Sequence, residues 1–171
     1  HDFAGSGAVH LVGGSSALAG CLIVGPRLGR WETSHKDMFE PRDVPSILMG
    51  TLLLWCCWFG FNAGSTTSLS SAEDITKASN AVLTTTFAGV FGGTINIIVS
   101  LVQYKWKTFD MIALSYGILG GLVSITAGCD VIDPNISMLV GAIGGIIASS
   151  SAKIRTRLFI DDVVDAVSVH A

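Results

Sequence analysis

Two histidines each follow an aspartate by eight residues within small and apolar side chains: Asp2 to His10 in DFAGSGAVH, and Asp162 to His170 in DDVVDAVSVH. A neutral imidazole offers one hydrogen-bond donor and one acceptor, and it exchanges a proton near neutral pH. Two such rings in contact, joined by a shared N–H, can hold one proton between them, present polar edges to a small solute, or relay a proton. Between them the stretch LLLWCCWFGFNAGSTTS sets Trp58, Phe59 and Phe61 ahead of Asn62, Gly64 and Ser65. Aromatic faces can close a pore or attract a cation through the ring quadrupole. An interfacial aromatic belt is the structural alternative. For Asn62 and Ser65, a helix-end role competes with solute binding.

The elements that must carry these residues are membrane spans. Half of the residues are hydrophobic, 13% are charged, and the mean hydropathy is +0.60, well above an ordinary water-soluble domain. A net charge of −3, with the basic residues in short clusters, excludes a nucleic-acid-binding stripe. Cys21, Cys56, Cys57 and Cys129 lie in or beside apolar runs. They lack the paired spacings of a metal site or disulfide framework and read as small packing residues. No catalytic triad, cofactor motif or metal cluster is present, so an enzyme is not expected. The chain has no initiator Met and stops within an apparent helix, which reads as an internal fragment of something longer.

Spanning a bilayer core takes roughly 20 mostly apolar residues. Five segments qualify, at approximately 3–25, 45–63, 79–103, 109–128 and 135–152, and a sixth begins near 163. Arg27, Arg30, Lys36, Arg42, Lys105, Lys107, Lys153, Arg155 and Arg157 all fall in odd-numbered loops, leaving only Lys77 in an even one. By the positive-inside rule the chain starts outside and the 26–44 loop is cytoplasmic. A cysteine engineered into that loop should therefore resist labelling from outside intact cells; labelling would overturn the topology. The pattern Gly-x-x-Gly-Gly occurs at Gly89, Gly92, Gly93, at Gly117, Gly120, Gly121, and at Gly141, Gly144, Gly145. In lipid, glycines let helix backbones approach closely.

The topology sets the histidines at one depth. Eight helical steps carry His10 roughly 12 Å in from the outer surface, and eight carry His170 about 12 Å in from the cytoplasmic one. Opposed entry with a shared Asp and Val-His pattern is the mark of an inverted repeat meeting at a central site. Ionisable side chains at that depth are functional candidates, and each histidine is the other's natural partner.

In order and separation, DFAGSGAVH, WFGFNAGS and DDVVDAVSVH resemble the corresponding stretches of the ammonium transporters of the Amt/Mep/Rh family, more closely its Amt branch. The resemblance runs the length of the chain as a single domain, 1–171. It implies an all-α polytopic membrane protein, part of an eleven-helix inverted-repeat bundle of which this chain covers spans five to nine and the start of ten. It further implies ammonium or ammonia as substrate, a homotrimer in the lipid bilayer of the plasma membrane, and no cofactor. By motif, His10 and His170 match the paired pore histidines, and Trp58 matches a pore-lining tryptophan. Phe61 matches one of two stacked gate phenylalanines, Ser65 the serine of the external ammonium site, and Asp2 an acidic residue supporting that site's structure. The rival functions are an ammonium sensor signalling to a cytoplasmic partner, which a long regulatory tail or fused signalling domain would mark, and an Rh-type gas channel, against which Ser65 leans.

Overall fold

The computed structural model describes residues 1–171, except for the side chain of Lys36. Six α-helices follow in order: α1 (Val12–Val24), α2 (Val44–Gly64), α3 (Ala72–Gln103), α4 (Met111–Ile125), α5 (Pro134–Arg157) and α6 (Ala166–His170). A π-helical turn, Ser6–Leu11, runs directly into α1, and a 3-10 turn, Thr33–Phe39, lies in the loop before α2. Four helical stretches are long and apolar enough to cross a membrane: Ser6–Val24, Asp37–Gly64, Ala72–Gln103 and Pro134–Arg157.

Helix starts are written in short polar side chains that satisfy the first free N–H groups. Asp43 accepts from the Ser46 N–H at 3.0 Å, Asp110 from Ala113 at 2.9 Å, and Asp133 from Asn135 at 2.8 Å. Ser71 and Asp74 form a capping box at the head of α3. That box starts α3 at Ala72, seven residues before the apolar run at 79. Hydropathy marks the lipid-facing stretch, whereas hydrogen bonding sets the helix end. At the other end of the bundle, α5 likewise runs on through its basic residues to Arg157. α4 is shorter than its apolar run, with 15 residues. It ends where the Thr126 hydroxyl turns back onto the Leu122 carbonyl at 2.7 Å, and successive turns follow. Near 163 the chain is not yet helical, and α6 begins only at Ala166.

The three glycine patterns do the packing that their spacing suggests. Glycines of α3, α4 and α5 bring backbone against backbone: a Cβ on Gly92 would stand 2.3 Å from the Gly117 carbonyl oxygen, and one on Gly141 2.2 Å from that of Ala88. No side chain fits there. α1 meets α6 in the same way, since a Cβ on Gly14 would lie 2.7 Å from the His170 carbonyl carbon. This crossing brings the two histidine-bearing segments together.

The 26–44 loop is pinned by one carboxylate. Asp161 accepts from Arg27 Nε and Nη2, both at 2.8 Å, from the Arg27 backbone N–H at 2.9 Å, and from Arg30 Nε at 3.2 Å. Both guanidinium groups also lie over the Phe39 ring, at 5.0 and 5.3 Å. The Arg27 side-chain hydrogen bonds, with help from its backbone N–H and from Arg30, hold the Asp161 carboxyl well below the usual carboxylate range. A depressed carboxyl contributes stability that is present above its unfolded pKa and lost only as pH falls through the folded one. The loop should therefore stay docked as pH drops through the ordinary carboxylate range near 4. Asp161→Asn should release it at neutral pH, raising tryptic cleavage at Arg27 and Arg30 about tenfold in limited proteolysis. Unchanged cleavage would show that the loop is held by other contacts.

Candidate functional site

The site is assembled from the C-terminal end of α4 inward. The chain before His10 is stitched to that end: the Phe3 N–H donates to the Ala127 carbonyl at 2.8 Å, Ala4 to Thr126 at 3.2 Å, and the Ser6 hydroxyl to the Val123 carbonyl at 3.1 Å. Gly5, at φ 98°, makes the bend, a backbone conformation that disfavours any residue with a side chain. The next turn is π-helical, with the His10 N–H reaching back five residues to the Gly5 carbonyl at 3.1 Å. Asp2 caps this turn, accepting from Ser6 at 2.7 Å, Gly7 at 3.0 Å and Ala8 at 2.9 Å. The Ala8 N–H, followed by those of Ser6 and Gly7, keeps the Asp2 carboxyl below its ordinary range. Single-turn π segments are rare and widen a helix locally; here the widened turn carries the buried imidazole of His10.

The second histidine arrives from the opposite end on α6, whose Val167 N–H donates to Asp162 at 2.7 Å. The His10 and His170 ring centroids are 5.1 Å apart, with planes within 10°. Trp58 lies parallel to His10 on α2, 5.0 Å away and within 9°, and Phe61 is tilted at 5.4 Å from the same ring. Trp58 is fixed by its indole N–H, which donates to the buried Thr126 hydroxyl at 3.0 Å. These four rings form one cluster. The described hydrogen bonds include none between the imidazoles: packing against Trp58 orients His10, and the two rings meet in nearly parallel planes. His10 Nε2 and His170 Nδ1 are both buried without a hydrogen-bond partner in the protein. Buried polar atoms are nearly always partnered, so two orphans on adjacent rings mark a place that can take a small polar solute.

Ser65 and Asp2 are not in the ring cluster. The Ser65 hydroxyl turns back onto the Phe61 carbonyl at 2.7 Å, and Asp2 serves backbone N–H groups. Asn62 is fully buried, donating to Thr85 at 2.8 Å, which ties α2 to α3. Sequence reading passed over Thr126. Its hydroxyl holds Trp58 while its carbonyl holds Ala4, so one residue sets two walls of the site. A threonine in an apolar span carries no sequence signal that separates it from Thr86 or Thr94, whose hydroxyls return to their own helix. Among the described residues, no three His, Cys, Asp or Glu side chains converge as metal ligands.

The chain is thus a multi-pass helical fold in which two histidines pack beside Trp58 and Phe61. The family model for the Ammonium Transporter Family matches residues 1–171, and the chain belongs to that family. It is 36% identical over 177 residues to ammonium transporter 1 member 3 of Oryza sativa subsp. japonica, covering 99% of this chain and 36% of the relative. A solved structure named as a sensor Amt protein superposes with a TM-score of 0.83 at 33% identity, covering 99% of this chain and 40% of that one. Mep2 of Candida albicans does so at 0.81 and 30%, covering 99% and 36%. The chain thus spans between a third and two fifths of the length of these three relatives.

Proposed function

We propose that the whole protein moves ammonium across a membrane, as a homotrimer in the plasma membrane, and that His10 and His170 line the middle of its pore. The observation that carries this reading is the pair of unpartnered nitrogens on adjacent buried rings, in a chain of the ammonium transporter family. Ammonium would be drawn from outside by the Ser65 hydroxyl, an acceptor for a cation that donates hydrogen bonds, and would then pass Phe61 as gate and Trp58 as a pore-lining ring whose quadrupole favours a cation. An intact cation then faces a large desolvation cost in the apolar bundle. Splitting NH4+ into NH3 and a proton lowers that cost: the neutral base passes along the polar edges of the two rings, while an imidazole nitrogen accepts the proton and passes it on. K+ has no proton to give up, so the same barrier rejects it. Asp2 serves the site indirectly, by fixing the turn that presents His10.

Vesicles containing the full-length protein should take up ammonium along its gradient with saturation, and about a hundredfold excess of K+ should not compete. Uptake no greater than in empty vesicles, or equal competition by K+, would remove the proposal.

A further inference from the structure

The segment that presents His170 does not hold its shape by local sequence alone. α6 has five residues, and its N-cap, Asp165, stands at φ 56°, a left-handed conformation that residues with a side chain seldom adopt. One side chain from another helix holds it. Arg155, near the end of α5, donates through Nη1 to the Ile160 carbonyl at 2.7 Å, through Nε to the Ser168 hydroxyl at 3.3 Å, and through Nη2 to the Asp165 carboxylate. Its side chain is 8% exposed and that of Asp165 27%. The guanidinium thus grips both ends of the Ile160–Ser168 stretch, two residues short of His170.

Asp165 also faces open space. Together with Thr51, Ser115, Tyr116 and Val169 it lines a cavity of about 380 Å³, whose wall is completed by Arg27 and Phe39 of the 26–44 loop. Arg27 shares Asp161 with Arg30, and Asp165, the carboxylate of this lining, is paired with Arg155. Asp162 holds the α6 turn through the Val167 N–H much as Asp2 holds the His10 turn, so Arg155 with Asp165 is a charged pair added on the His170 side.

We propose that Arg155 is a positioning and charge-cancelling residue of the pore: it fixes the turn that carries His170, and it keeps the Asp165 carboxylate from offering a cation-stabilising charge below that ring. The inference rests on the pore reading above. A carboxylate stripped of its buried partner is an uncompensated charge. At an effective dielectric of about 20, such a charge within several Å of a passing ion is worth more than one factor of ten. Without Arg155, intact cations would find a favourable station at this end of the pore.

The test compares ammonium and K+ currents in vesicles for the full-length protein and for Arg155→Lys, Arg155→Gln, Asp165→Asn and the double variant Arg155→Gln with Asp165→Asn. Arg155→Gln should raise the K+-to-ammonium current ratio about tenfold, Arg155→Lys should stay close to the unsubstituted protein, and the double variant should return most of the discrimination. A purely structural arginine would lower all currents together without moving the ratio. If Arg155→Gln fails to reach the membrane, recovery of expression and discrimination in the double variant still supports the charge pairing, and no recovery overturns it. An unchanged ratio in Arg155→Gln, or a double variant that leaks as much as the single, also overturns it. An unsubstituted protein that passes no ammonium sinks the pore reading and this inference together, whereas a selective one with indifferent Arg155 variants sinks the inference alone.

Discussion

Replacing His10 by Asp, or His170 by Glu, should let K+ pass where the unsubstituted protein passes ammonium, with the ammonium-to-K+ current ratio falling by about tenfold or more. Selectivity in the proposed pore comes from the cost of carrying a bare cation through an apolar centre, a cost that ammonium avoids by leaving its proton on an imidazole. A carboxylate at either position would place a compensating negative charge at the centre of the pore. The two rings are 5.1 Å apart, so a substitution at either one acts on the same point of the path. Currents measured under matched ammonium and K+ gradients check this. Both variants expressing normally and keeping full discrimination would mean that the histidines are packing residues.

Gly141→Val should prevent the protein from accumulating in folded form, and Gly92→Val should do the same. A Cβ at Gly141 meets the Ala88 carbonyl oxygen at 2.2 Å and the Ala88 Cα at 2.4 Å; at Gly92 it meets the Gly117 carbonyl oxygen at 2.3 Å. These obstacles are backbone in the middle of long helices, so no rotamer change relieves them, and the helices must separate. Overpacking of a tight core costs about 1–3 kcal/mol even where neighbouring side chains can move, and separating these helices would also break contacts along their length. Gly13→Ala is the matched control, because a Cβ there meets nothing within 4 Å. Thermal unfolding in detergent should separate the two classes by tens of degrees in the extreme case of no folded protein, whereas equal melting would show that the glycine contacts do not hold the bundle.

Several features of this chain are visible in its sequence because single residues carry them. The glycine triplets indicate close helix approach, since small residues at helical spacing let backbones meet. Asp43, Asp110 and Asp133 announce helix starts because each accepts N–H groups within its own first turn. The two Asp-to-His spacings point to one depth because helical rise is fixed. What the sequence hides is long-range or conformational. The π turn at Ser6–Leu11 leaves no periodic trace, since it inserts one wider turn into an otherwise regular pattern. Thr126 holding Trp58, 68 residues away, and Arg155 gripping Asp165 depend on helix ends that meet only after packing. The relative orientation of the imidazoles also escapes local rules, because it is set by Trp58 on another helix.

The central claim is that substrate passes along the paired imidazoles of His10 and His170, and nitrogen NMR of the two rings tests it most directly. With the full-length protein labelled at histidine nitrogen and reconstituted in bilayers, both sets of ring resonances should shift as ammonium is added at constant pH and ionic strength, and neither should respond to K+. The response should disappear for the remaining ring when its partner is replaced by alanine. Resonances that ignore ammonium, or that respond equally to K+, would contradict the account.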